Sequence, residues 1–173
     1  MVKYLVEHGV DVTVKDNENK TALFLACKNG NKRIVKYLVE RGAKINVKSR
    51  NGTIPLFDAY SSGNIQLVKY LVKLGSNINK RNKNGFTALF NACQCGHESI
   101  VRFLVERGAN VNIQSNEGST PLFCACYKGN ENIVKFLQGA DVNKKDNNGV
   151  TPIFQACTSG NEHLVKYLME HGL

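Results

Sequence analysis

The chain has 173 residues, of which 42% are hydrophobic and 21% charged, a balance typical of a folded globular protein. Its 23 Lys and Arg outnumber its 14 Asp and Glu, giving a formal net charge of +9, which suits acidic partners and nucleic acid alike. No stretch approaches the roughly 20 apolar residues that a membrane-spanning helix needs, and the N-terminus lacks a secretory signal pattern. We therefore expect an intracellular protein, in the cytoplasm or the nucleus, without a membrane segment.

A four-residue motif recurs along the chain at a fixed spacing of 33 residues, which shortens to 31 before the last copy. A period of this length indicates a stack of repeated structural units. The copies are Thr21-Ala22-Leu23-Phe24, Ile54-Pro55-Leu56-Phe57, Thr87-Ala88-Leu89-Phe90, Thr120-Pro121-Leu122-Phe123 and Thr151-Pro152-Ile153-Phe154. We predict one domain over residues 1–173, with a partial repeat in residues 1–15 and repeats in residues 16–48, 49–81, 82–114, 115–145 and 146–173.

Each copy predicts the same elements in the same order. A polar turn leads into a short apolar helix that begins at the motif, where Thr is a natural cap and Pro fits the first helical position. A glycine ends this helix, and a second, amphipathic helix follows. Its predicted capping residues are Asn31, Asn64, His97, Asn130 and Asn161. A tail of alternating polar and apolar residues, expected to form a hairpin arm, closes the copy. Neither helix buries its apolar face alone, so neighbouring copies must stack.

The pattern resembles the ankyrin repeat, a β-turn plus two antiparallel helices with a T-P-L-H-x-A signature. The resemblance covers nearly the whole chain and implies an all-α fold: a right-handed solenoid of helix-turn-helix repeats with short β-hairpin turns. It also implies that the leading residues form a second helix whose first helix is absent. No polar capping repeat stands at either end, so we expect a segment of a longer array, or ends that a partner covers.

Two departures from the ankyrin pattern carry structural expectations. Phe replaces the signature His in every copy, at Phe24, Phe57, Phe90, Phe123 and Phe154. In the family this His ties the turn to the helix by hydrogen bonds, so we expect an apolar anchor here instead. The fourth copy lacks two residues after Phe136, which predicts a second helix about 3 Å shorter and weaker packing against the fifth copy.

The cysteines and histidines suggest no catalytic or metal chemistry. Stacked helices lie about 8–10 Å apart, too far for a disulfide between equivalent positions. We expect buried core thiols at the shared position of the first helix, in Cys27, Cys93, Cys126 and Cys157, and an exposed thiol at Cys95. No nucleophile, His and acid form a recognisable constellation, and no Gly-rich phosphate loop is present. We predict no enzymatic activity and no cofactor.

One position of the second helix is basic throughout the chain and predicts a stripe along the stack. The stripe residues are Lys3, Lys36, Lys69, Arg102, Lys135 and Lys166. Such a stripe would grip phosphates, but four of its members have a Glu four residues later, which partly neutralises them. We interpret it as a solvated helix face and keep two alternatives open: a nucleic-acid-binding module, and a targeting segment of a larger enzyme.

The ankyrin resemblance implies a concave face of turn tips and first helices, on which family members mostly bind other proteins. Transferred position by position, the candidate partner-binding residues are Arg50, Asn51, Thr53, Lys83, Asn84, Phe86, Gln94, Asn116, Glu117, Ser119, Tyr127, Lys128, Asn148 and Val150. Phe86 and Tyr127 are large aromatic residues suited to be interface anchors, and we expect their joint replacement by Ala to weaken binding without harming the fold. The Lys and Arg members favour an acidic partner surface. We expect the chain to bind it as a monomer, unless exposed ends of the stack associate.

Four Asn residues in the tails match a position that asparaginyl hydroxylases modify in some ankyrin proteins. They are Asn46, Asn79, Asn112 and Asn143. Asn is also a residue that stabilises turns through its side chain, and we favour this structural interpretation.

Overall fold

The structure, a computed structural model, describes Gly9 and residues 11–171. The predicted leading helix, Lys3 of the basic stripe and Gly172 lie outside the described residues. Five helix pairs fill the rest: α1 Ala22–Lys28 with α2 Lys32–Glu40, α3 Pro55–Ser61 with α4 Ile65–Lys73, α5 Ala88–Cys95 with α6 Glu98–Glu106, α7 Pro121–Tyr127 with α8 Glu131–Phe136, and α9 Pro152–Ser159 with α10 Glu162–His171. The all-α helical repeat is confirmed, whereas the tails form turns and no strand among these residues.

The chain divides into two compact units, Met1–Lys83 and Asn84–Leu173. In the first unit, α1 packs along α3, and each of them also packs against its own second helix. In the second unit, α5, α7 and α9 pack in a row, and α6 packs against α8. The first helices are buried between neighbouring copies because their apolar residues face both sides of the row, as the need to stack predicts.

The substituted Phe side chains form the core of the stack. Phe24, Phe57, Phe90 and Phe123 are at most 4% exposed, which confirms the apolar anchor in four copies. In the fifth copy Phe154 is 61% exposed, so the anchor prediction is wrong there. The physical reason is that α9 packs against α7 on one side, and no described helix covers its other side.

The shared cysteine position follows the same rule. Cys27, Cys93 and Cys126 are buried, as predicted, but Cys157 on α9 is exposed, because no described copy packs over it. The prediction of a buried thiol is therefore wrong for Cys157. Cys95, at the end of α5, is exposed as predicted.

The capping Asn residues connect neighbouring copies as well as starting helices. The Asn64 Oδ1 accepts from the backbone N–H groups of Gln66 and Leu67, which caps α4. Its Nδ2 donates to the Gly30 carbonyl of the preceding copy over 2.7 Å. Asn161 repeats both contacts in the second unit, with Leu164 and with the Gly129 carbonyl. The predicted Asn caps are confirmed, and they add a link between copies that the sequence pattern did not indicate.

Two of the tail Asn residues, Asn112 and Asn46, link neighbouring copies through their side chains. Asn112 Nδ2 donates to the Gly139 carbonyl over 2.8 Å, and its Oδ1 accepts from the Asp141 N–H. Asn46 Nδ2 contacts the Gly75 carbonyl at 3.4 Å. These bonds join the tail of one copy to the start of the next tail, which supports the structural interpretation of the position.

The fourth copy is shorter in its second helix, as predicted. Helix α8 has 6 residues, whereas α2, α4 and α6 have 9 each. Helix α8 stops before Leu137, whose side chain is nevertheless buried. The deletion therefore shortens only the end of the helix, and Leu137 remains in the core.

Thr residues occupy the N-cap positions of four first helices, but their side chains make no capping hydrogen bond. The N–H group that a cap would bind is taken by the Thr carbonyl instead, as in Phe123 N to Thr120 O at 3.0 Å. The Oγ1 atoms of Thr21 and Thr120 are buried without a hydrogen-bond partner. The expectation that these Thr side chains cap is therefore wrong, and Phe at the signature position offers them no polar group.

We expect Thr120→Val to raise the free energy of unfolding by about 1 kcal/mol, because it replaces a buried, unpartnered hydroxyl by a methyl group of similar shape. Both residues are β-branched, so the backbone preference hardly changes. Urea unfolding measures the difference. Thr151→Val is the matched control, since Thr151 is half-buried and its hydroxyl is not among the unpartnered ones. A loss of stability in Thr120→Val would show that the hydroxyl makes a stabilising bond.

Candidate functional site

Tyr127, at the end of α7, is second only to Phe154 in exposure among the described aromatic side chains. Its exposed fraction is 55%, and the Lys128 Nζ lies 5.8 Å from the centre of its ring, within the range of a cation–π contact. The helix ends here because Gly129 adopts a left-handed backbone, with φ at 64°. Gln94 lies near the end of α5, one copy earlier, and is also exposed. The second unit thus presents an aromatic ring and polar side chains at the ends of its first helices.

Phe86, the second predicted anchor, is half-buried. Its ring packs edge-to-face on Phe90 of α5, with 4.9 Å between the ring centres. Because Phe90 belongs to the core, removal of the Phe86 ring would loosen the start of that helix. The structure therefore changes the expectation for the joint Ala variant, because loss of Phe86 would disturb the fold as well as binding. Replacement of Tyr127 by itself separates the effect on binding from the effect on the fold.

The turns are linked to one another through backbone hydrogen bonds. In the second unit the Asn116 N–H donates to the Asn84 carbonyl at 2.9 Å, and the Asn147 N–H donates to the Glu117 carbonyl at 3.0 Å. The side chains of these tip residues are exposed. The linked tips form a rigid edge, so Asn116, Glu117 and Asn148 are presented on a fixed backbone.

The last residue of each turn has a structural role. Thr53 Oγ1 bonds to Ser49 Oγ at 2.7 Å within its turn. The carbonyl of Ser119 accepts from the Ser115 N–H, and the carbonyl of Val150 accepts from the Asp146 N–H. All three are half-buried, so they close the turns and offer less surface to a partner than the tip residues do.

The first unit carries the remaining candidates. Arg50, Asn51 and Lys83 are exposed at the tips of two adjacent turns. The Arg50 N–H donates to the Glu18 carbonyl at 2.8 Å, and the Lys83 N–H to the Asn51 carbonyl at 3.0 Å. Backbone hydrogen bonds of the same kind as in the second unit therefore hold the turns of the first unit that carry these basic residues.

The sequence pattern missed two features of the first helices in the first unit. Leu25 on α1 is 61% exposed, and the signal for it was an apolar residue where three other copies have the polar residues Asp58, Asn91 and Gln155 and the fourth copy has Cys124. Tyr60 stands where the other copies have Cys; it is fully buried, and its hydroxyl has no hydrogen-bond partner. Burial raises the pKa of the Tyr60 hydroxyl. It also raises the pKa of the Asp58 carboxyl, because its effect there exceeds the opposite effect of the nearby Lys20 and Lys28 charges.

The buried thiols are poorly suited to nucleophilic chemistry. Burial raises the pKa to about 12 for Cys27 and Cys126 and to about 11 for Cys124, so these thiols stay protonated near neutral pH. The described residues include no group of three or more His, Cys, Asp or Glu that would hold a metal ion. Nor does any helix in residues 11–171 have the length and apolar character to cross a bilayer.

The basic stripe is partly neutralised, as predicted. Lys36 pairs with Glu40 at 3.7 Å and Arg102 with Glu106 at 3.0 Å. Lys135 pairs with Glu131 on the preceding turn of α8, an ion pair that the sequence pattern did not indicate. The expected pair of Lys166 with Glu170 is not formed, although both residues are described. The aromatic residues beside the stripe are half-buried or, at Phe103, buried, so they offer no open face for base stacking.

Models of known protein families match most of the chain. The family model described as ankyrin repeats in three copies matches residues 1–49 and 56–146, and a single ankyrin-repeat model matches residues 148–173. No curated protein matches the chain.

Proposed function

Because the chain belongs to the ankyrin-repeat family, we propose that it is a non-enzymatic scaffold that binds a protein partner on its turns and the ends of its first helices. Ankyrin repeats are generally protein-interaction modules. The observation that carries the proposal for this chain is the exposure of Tyr127, a large aromatic side chain at the end of a first helix. On the second unit, the partner is held around this residue.

The energetics favour Tyr127 as the anchor. An exposed aromatic ring contributes nothing to the core, whereas its burial against a partner removes a large apolar area from water. Tyr is also among the residues that dominate the binding energy of protein interfaces. Lys128 adds a positive charge beside the ring, which favours a carboxylate on the partner, and the exposed tips at Asn116, Glu117 and Asn148 supply a polar rim.

We expect Tyr127→Ala to weaken partner binding by about 30-fold, the equivalent of about 2 kcal/mol at a hot-spot residue. The measurement is quantitative capture of partners from nuclease-treated cell extract at two salt concentrations. Met169→Ala is the matched control, because Met169 is similarly exposed, at 53%, but lies on second helix α10. If both variants recover the same proteins in the same amounts as the unmodified chain, the anchor lies elsewhere.

A further inference from the structure

The charge of the chain is concentrated in one of its two units. Residues 1–83 hold sixteen Lys and Arg and six Asp and Glu, a net charge of +10, whereas residues 84–173 hold seven and eight, a net charge of −1. Between Glu40 and Glu98 the chain has nine basic residues and one carboxylate, Asp58. The positive excess of the protein therefore belongs to the first unit.

Four of these cations lie on two adjacent turns of the first unit. Lys48 and Arg50 flank the start of the turn at residues 49–53, and Arg81 and Lys83 occupy the equivalent positions of the next copy. All four side chains are exposed. We call Lys48, Arg50, Arg81 and Lys83 the cation cluster.

The backbone beneath the cation cluster is held in place. The Lys83 N–H donates to the Asn51 carbonyl at 3.0 Å. The two turns also lie close together at Gly52, where an added Cβ would be 3.3 Å from the Lys83 nitrogen. Since the turns are joined in this way, the backbone positions that carry the four cations stay near one another without a ligand, which lowers the entropic cost of binding an anion.

The turn at residues 49–53 is built without a carboxylate. In the first turn Asp16 Oδ1 accepts from the Lys20 N–H at 2.8 Å. At the equivalent position of the next turn the neutral Ser49 Oγ accepts from the Thr53 N–H at 3.2 Å. Asn51 likewise stands where the first turn has Glu18. The neutral Ser49 therefore takes over the structural role of Asp16, and the turn at residues 49–53 places no carboxylate beside Lys48 and Arg50.

We propose that the cation cluster docks an acidic segment of a protein partner, a stretch of extended chain rich in Asp and Glu. The inference rests on the proposed function, because the turns that present the cluster belong to the proposed binding surface. Arg and Lys form charge-assisted hydrogen bonds with carboxylates, and Arg does so through two parallel bonds. Neighbouring copies lie about 10 Å apart, a distance that about three residues of extended chain span. Acidic residues spaced by three would thus meet successive turns.

The described residues of the first unit lack the features that favour nucleic acid. Proteins that bind single strands combine a basic groove with exposed aromatic rings on which bases stack. The aromatic residues described in the first unit are buried or half-buried, namely Phe24, Tyr37, Phe57, Tyr60 and Tyr70. The observations therefore favour a carboxylate-bearing protein segment over a phosphate backbone.

The test uses a fluorescent twelve-residue peptide of Glu and Gly with Glu at every third position, and the full chain. Replacement of all four cluster residues by Gln is expected to weaken peptide binding at least about tenfold, or 1.4 kcal/mol. The matched control replaces Lys32, Arg33, Lys69 and Lys73 by Gln, which removes the same charge from exposed second-helix positions of the same unit. We expect this control to lose no more than about threefold, and urea unfolding checks that both variants keep the fold.

Two results would overturn the inference. Equal losses in the two Gln variants would show that net charge alone attracts the peptide, and tighter binding of a twelve-residue oligothymidylate than of the peptide would assign the cluster to nucleic acid. The proposed function is tested separately, because Tyr127 lies in the other unit. If Tyr127→Ala loses the cellular partner while the cluster variant binds the peptide unchanged, the scaffold function stands and only the acidic-segment inference fails.

Discussion

Gly118→Ala is expected to lower the free energy of unfolding by about 3 kcal/mol, because the added methyl group would clash with the backbone of the next turn. A Cβ at Gly118 would lie 2.8 Å from the backbone nitrogen of Asn147 and 2.9 Å from the Cα of Asp146. Neither atom is able to rotate away, because both belong to the backbone of the next turn. The Asn147 N–H also donates to the Glu117 carbonyl, so the clash would break the bond that joins the two turns.

The control separates this clash from backbone strain. Gly118 and Gly149 occupy equivalent positions and have similar positive φ values, 84° and 78°, but a Cβ at Gly149 would meet no atom within 4 Å. Gly149→Ala therefore reports the cost of a left-handed Ala alone, about 1 kcal/mol. Urea unfolding of both variants gives the difference. Equal destabilisation by the two variants would mean that the close approach of the turns contributes nothing.

Asn64→Ala is expected to cost about 2–2.5 kcal/mol of unfolding free energy, because one side chain does two tasks. Loss of the N-cap of α4 accounts for about 1 kcal/mol. The Gly30 carbonyl of the preceding copy would in addition lose its hydrogen bond from Asn64 Nδ2 and keep only the one from the Lys32 N–H, and the loss of this bond costs about a further 1–1.5 kcal/mol.

Two further variants divide the effect of Asn64 into its parts. Asn64→Asp keeps an acceptor for the cap but places a carboxylate oxygen against the Gly30 carbonyl, so only the link between copies is lost. Asn31→Ala removes a cap whose side chain is exposed and accepts from the Ile34 N–H at 3.1 Å, and it is expected to cost about 1 kcal/mol. The account is contradicted if Asn64→Asp unfolds at the same urea concentration as the unmodified chain.

Much of the fold was predictable because the local signals repeat. Each helix pair was indicated by its motif and its glycines, and in four copies by a capping Asn, and these signals depend only on residues within the same copy. In the third copy the predicted cap, His97, makes no side-chain capping hydrogen bond. The shorter α8 was likewise evident from a two-residue deletion. Where only local chemistry decides, the sequence pattern is sufficient.

The errors arose where neighbouring copies decide the outcome. Phe154 and Cys157 have the same local sequence context as their buried equivalents, and they are exposed only because no described helix packs over α9. The Thr hydroxyls lost their capping role because the backbone carbonyl takes the N–H first. Phe86 was predictable as a turn residue, but its packing on Phe90 depends on the path of the chain between them. Such outcomes depend on tertiary geometry, which single positions do not encode.

The proposed binding surface was predictable only as a set of positions. The ankyrin pattern indicated which residues lie at turns and helix ends, and the structure separates those with exposed side chains, such as Arg50 and Tyr127, from those that close turns, such as Thr53. The repeat pattern does not identify the partner. The positive charge of the first unit is the strongest indication in the sequence of the partner's chemistry.

The central claim is that a protein partner sits on the turns and first-helix ends around Tyr127. It is tested most directly by photo-crosslinking in cells, with the photoreactive residue p-benzoylphenylalanine placed in one protein at position 127 and in another at position 169. Position 169 is comparably exposed on second helix α10. We predict a discrete protein adduct from position 127 and none from position 169. Adducts from position 169 alone, or with nucleic acid alone, would contradict the account.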